Sequence, residues 1–142
     1  MSAPQTVVGM DCTKVAELAC GGAHVLAVAD GVVWAWGRGD SGQLGIVDKP
    51  EVGYCEMTPL KVSLPPGTAP ATAISCGSHH CLVLTSDNDI FSWGYGDNLA
   101  LGQGKERDEN RPTKLDKSKY GGGAKVLQLG GGAQHSAILL SS

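Results

Sequence analysis

Three histidines stand at one recurring place, each a few residues after a glycine turn. They are His24 in Cys20-Gly21-Gly22-Ala23-His24, His80 in Cys76-Gly77-Ser78-His79-His80, and His135 in Gly131-Gly132-Ala133-Gln134-His135. An imidazole can move protons, hold a metal or meet a partner. At a repeated turn position it can equally be structural, its ring nitrogens bonded to the backbone of the turn. Asp40 and Asp97 also share a position, in the loops after Trp36-Gly37 and Trp93-Gly94. Their carboxylates suit charge complementarity to a basic partner, and they suit just as well an Asx turn that caps its own backbone.

Other local patterns carry less. Gly37 to Gly42 satisfies GxGxxG after a strand, but no helix follows, and Leu99 replaces the third glycine in the second unit. A dinucleotide site needs a helix N-terminus for the pyrophosphate, so no nucleotide cofactor is expected. Arg38-Gly39-Asp40-Ser41 is an integrin-type tetrapeptide in a chain without a secretory signal, and is read as coincidence. His79-His80-Cys81 invites a metal, yet adjacent strand residues point to opposite faces, and no second ligand pair has zinc spacing. No metal is expected. Nor is a Ser or Cys nucleophile placed by its context, so covalent catalysis is not expected either.

The elements that position these residues are short strands. His24, Leu26 and Val28 face one way and Val25, Ala27 and Ala29 the other, and both sets are largely apolar. Such a strand is covered on both faces. Asp30-Gly31 predicts a two-residue hairpin of type I′. Val32 to Trp36 returns, β-branched and aromatic, and Gly37 to Gly45 forms a loop. Pro59 to Leu64 alternates in period two and predicts a fourth, edge strand bounded by prolines. The order then repeats: strands over Ala73–Ser75, His80–Thr85 and Ile90–Trp93, and a weaker one from Pro112 to Leu115. A third unit begins with Lys125–Leu129 and His135–Leu140, and lacks the tryptophan-glycine strand. The histidine spacing gives a period of about 55 residues, the size of a four-stranded propeller blade.

The expectation is therefore all-β: a partial β-propeller with two four-stranded antiparallel blades and the first strands of a third. Its units are a lead-in over 1–13, repeats over 14–70 and 71–120, and a partial repeat over 121–142. Trp34, Trp36, Phe91 and Trp93 should fill the core between blades, and Cys20 and Cys76 should be small buried residues.

Composition sets outer limits. Of 142 residues, 21 are glycine, roughly twice ordinary usage, which suits many tight turns. A net charge of −3 argues against a nucleic-acid surface in this segment. The five cysteines lack CxxC spacing and fit reduced thiols. With neither a signal sequence nor an apolar run long enough to span a bilayer, the expected location is the nucleus or cytoplasm.

The combination of CGxxH, a turn, WxWG or FSWG, and then GD with QLG or ALG resembles the regulator of chromosome condensation repeat family over roughly residues 14–140. That resemblance implies a seven-bladed propeller. Trp93-Gly94-Tyr95-Gly96-Asp97-Asn98, Leu101-Gly102-Gln103-Gly104 and Gly131 to Ser136 look most like the last part of the founding member, a nuclear exchange factor for the small GTPase Ran. The implied partner is a Ran-type GTPase, met on one propeller face by His135, Asp40, Asp97, His80 and His24. A propeller-type interaction module or scaffold without exchange activity is the alternative. Two and a half blades do not close a ring, so the missing blades, or another chain, are expected at the open strand edges. The chain by itself is expected to be inactive in exchange.

Overall fold

Asp30 and Gly31 adopt φ of 52° and 76°, the backbone that a type I′ hairpin requires. They join β2 (His24–Ala29) to β3 (Val32–Arg38), and the strands pair in register from Ala29↔Val32 to His24↔Gly37. The computed structural model describes residues 3–10 and 14–142. Within them β1 (Val15–Cys20), β2, β3 and β4 (Cys55–Lys61) form one antiparallel sheet in sequence order. A second sheet repeats it with β5 (Ala71–Cys76), β6 (His80–Thr85), β7 (Ile90–Gly94) and β8 (Glu109–Lys114). β9 (Val126–Gly131) and β10 (Ser136–Leu140) pair as a third, two-stranded sheet. The all-β, partial-propeller expectation is met.

Two sequence readings shift. The fourth strand expected over Pro59–Leu64 lies earlier, at Cys55–Lys61, and that expected from Pro112 lies at Glu109–Lys114. In both, the proline sits inside the strand at a break in register. Ala35 pairs with Leu60 but Gly37 with Glu56, and Ser92 with Thr113 but Gly94 with Glu109. A residue that cannot donate to the ladder is tolerated at such a bulge, so here proline does not mark the strand's end.

The sheets stack face to flank. Leu26, Val28, Val33 and Ala35 of the first sheet pack with Ile74, Cys76, Cys81, Val83, Phe91 and Trp93 of the second. Leu82, Leu84 and Ile90 face the other way, onto Val126 and Leu129. The second sheet is thus covered on both sides, and every residue of β6 and β7 is buried. Neighbouring β1, β5 and β9 add polar links: Ile74 N donates to Glu17 Oε2 (3.0 Å), and Gly131 N to Ser75 Oγ (2.9 Å).

The aromatic pairs part company for this reason. Phe91 and Trp93 do fill the core between sheets, and Trp93 Nε1 donates to Gln43 O at 3.0 Å. Trp34 and Trp36 sit at the equivalent places but on the far face of the first sheet, with Ala27, Ala29 and Met10. Among the described residues no sheet covers that face: Trp34 is still buried in this small cluster, with Lys61 Nζ 5.4 Å over its ring, while Trp36 is only half-buried. Cys20 is corrected by the same argument. Its counterpart Cys76 is buried against the first sheet, whereas Cys20 faces outward and is exposed.

Replacing Trp93 with alanine is expected to cost about 3–5 kcal/mol, whereas Trp36→Ala, at a half-buried place, should cost less than half as much. Urea unfolding of the two variants measures both.

Candidate functional site

Each buried histidine is placed by the turn before its strand. Gly21 N donates to His24 O (2.8 Å), and Gly77 N to His80 O (2.9 Å), closing the turns. The imidazole folds back over the first glycine. A Cβ at Gly77 would collide with the His80 ring and with Gly132 O, so the position needs glycine. His24 is 2 % exposed and His80 1 %.

Their partners lie in the next sheet, not in their own turns. His24 Nε2 lies 3.2 Å from Cys81 Sγ, and that thiol donates to Gln43 O at 3.1 Å. One repeat later, His80 Nε2 lies 2.8 Å from Ser136 Oγ, which donates to Ala100 O at 2.7 Å. Because thiol and hydroxyl each spend their proton on a carbonyl, the imidazole Nε2–H is the donor to them. The result is one relay, imidazole to thiol or hydroxyl to loop carbonyl, built twice across successive interfaces. Cys81 and Ser136 share the place that Val25 holds in the first sheet. The sequence reading missed them because that place looks apolar at its first appearance.

Burial is the main cause that holds His80 below the ordinary histidine range, and the nearby His24, His135 and His79 add to it. In the thiol pair, the interaction with Cys81 is the chief influence lowering Cys76, while burial pushes Cys81 up.

These positions correct the surface reading of two candidates. His24 and His80 are enclosed between sheets and cannot meet a partner. Asp40 is half enclosed: Arg38 Nε reaches its Oδ1 at 2.7 Å and Gly53 N donates to its Oδ2 at 3.2 Å. The Arg38 guanidinium holds its carboxyl below the usual carboxylate range. Its work is to close its own loop, through a longer span than an Asx turn.

Asp97 and His135 are both exposed, but the His135 ring folds back over Gly132, as His24 does over Gly21 and His80 over Gly77, on a flank of the third sheet that no sheet among the described residues covers. Tyr95 donates its hydroxyl to Asp97 Oδ2, which raises the phenol's pKa. Its ring meets His79 edge to face at 6.4 Å between centroids. Asn98 Nδ2 donates to Gln134 Oε1 at 2.8 Å, tying the second sheet's loop to the third sheet's turn. His79, Tyr95, Asp97, Asn98 and Gln134 therefore form one polar, aromatic patch across two repeats. His79, Tyr95 and Gln134 were missed by the sequence reading, because only the turn-to-loop register brings them beside Asp97.

The regulator of chromosome condensation repeat matches residues 30–84 and 87–139, and a second model of the same repeat matches 71–99. The chain belongs to this repeat family. It is 35 % identical over 139 residues to the human E3 ubiquitin-protein ligase HERC2, covering 96 % of this chain and 3 % of that one. Protein pim1 of Schizosaccharomyces pombe is 35 % identical over 146 residues, covering 95 % and 26 %. Prp20p of Saccharomyces cerevisiae superposes with a TM-score of 0.79 at 24 % identity, over 96 % of this chain and 33 % of that protein. This last likeness is one of fold. The chain thus spans between 3 % and about a third of these proteins.

No helix among the described residues is long and apolar enough to cross a membrane.

The His80 shift has a definite sign. Its folded pKa lies below its unfolded value of about 6.5, so the unfolded chain takes up the proton first as pH falls. The contribution to stability is complete above that value and is lost as pH drops through the folded one. Chemical denaturation at a series of pH values should show stability falling from about pH 6.5 downward, with a shallower slope in His80→Gln.

Proposed function

We propose that this chain is a propeller segment that binds a protein partner through one face, and that the partner is a small GTPase of the Ran type. The observation that carries the reading is the polar patch of Tyr95, Asp97, Asn98 and Gln134, on loops held by rigid sheets. Binding surfaces are commonly mounted in this way. Asp97 supplies charge complementarity to basic groups of a partner, which raises the rate of encounter and fixes register. Prp20p, which shares this fold, is described with binding properties to Gsp1p and histones.

The mechanism is differential binding. A surface that holds the nucleotide-free GTPase more tightly than the loaded one weakens nucleotide affinity by the same factor, because the coupling is reciprocal. The resemblance also implies a protruding β-wedge, carried by another blade, that takes part in nucleotide release, and no such element stands among the described residues. The segment is therefore the partner-holding part of such a face, and release needs more of a propeller than these sheets.

The competing reading is an interaction module with no exchange role, favoured by the same lack of a wedge. Binding of the full chain to Ran in its nucleotide-free and GDP-loaded forms separates the two. The exchange reading predicts preference for the nucleotide-free form, no acceleration of release, and about tenfold weaker binding, or about 1.4 kcal/mol, in Asp97→Lys. Equal binding of both forms, or none, rejects it.

A further inference from the structure

The interface between the first two sheets contains a group of side chains that the next interface lacks. His24, Cys76 and Cys81 are all buried, and one ligand atom from each lies within 4.8 Å of the other two. Cys76 and Cys81 are directly opposed in the β5–β6 register, and His24 approaches from the neighbouring sheet. At the following interface the equivalents of the two cysteines are Gly131 and Ser136, so the sulfur pair belongs to this interface alone.

The donor set is one imidazole and two thiols, soft ligands that favour zinc or monovalent copper over magnesium or calcium. Charge decides between the first two. Two thiolates and a divalent cation cancel, which leaves a neutral centre among Leu26, Ile74 and Trp93. A monovalent ion would leave a net negative charge in that apolar setting, where uncompensated charge is costly. Gln43 O, 3.1 Å from Cys81 Sγ, offers an oxygen to complete a four-coordinate shell. We propose that His24, Cys76 and Cys81 form a zinc(II) site that pins the first sheet to the second. Spacing along the chain hid it, because the histidine and Cys81 are 57 residues apart. The bound ion would replace the first relay with metal–ligand bonds and leave the second, at His80, untouched.

The test is titration of the full reduced, metal-free chain with cobalt(II), followed by zinc(II). The expected result is one equivalent bound with thiolate-to-cobalt charge-transfer absorption, bleached by zinc, and a higher thermal midpoint with zinc. The absorption should be lost in Cys76→Ser and Cys81→Ser, fall at least tenfold in affinity in His24→Gln, and persist when Cys12, Cys20 and Cys55 are all serine. X-ray absorption at the zinc edge of the parent chain needs no variant, and should give two sulfur neighbours at about 2.3 Å. Absence of the charge-transfer band, its persistence in Cys76→Ser, or a zinc shell without sulfur would overturn the proposal.

Discussion

A sheet with two apolar faces cannot be stable alone, and the whole of this structure follows from how each sheet is covered by the next. Apolar packing supplies the bulk of the attraction between sheets. The polar relay sets where they meet. An imidazole from one sheet donates to a thiol or hydroxyl of the next, which in turn donates to a loop carbonyl of the first, at both successive interfaces. Buried polar groups of this kind are costly unless paired, so a sheet displaced along its neighbour would leave all three without partners.

The loops inherit their positions from that relay. Gln43 and Ala100 accept from the following sheet, and they sit just after the Asp40 and Asp97 loops. The same carbonyl of Gln43 also receives Trp93 Nε1, so packing and polar register converge on one atom. A partner that met Asp97 would thus meet a loop whose base is fixed by the hydrogen bond at Ala100. Where covering is incomplete, the same residue types behave differently: Cys20 and Trp36 are more open than Cys76 and Trp93 at the equivalent places.

Much of this was legible in the sequence. The repeat period, the Asp30-Gly31 hairpin and the two-faced apolar strands specify four-stranded sheets, because each rests on local stereochemistry. The prolines misled, since Pro59 and Pro112 mark bulges within strands and not strand ends. The histidines were recognised as a recurring position, but their partners were not, because Cys81 and Ser136 come from a neighbouring repeat and vary in type. The half-exposure of Trp36 could not be read from its own neighbourhood. It depends on which flank of the sheet is covered, a property of the stack.

Native-state hydrogen exchange measured strand by strand tests the claim that neighbouring sheets hold each other in place. Covered on both flanks, β6 and β7 should be the most protected strands, opening only with global unfolding, while β1 and β10 exchange through local opening. Equal protection in all ten strands, or greater protection in β1 or β10 than in β6, would contradict the account.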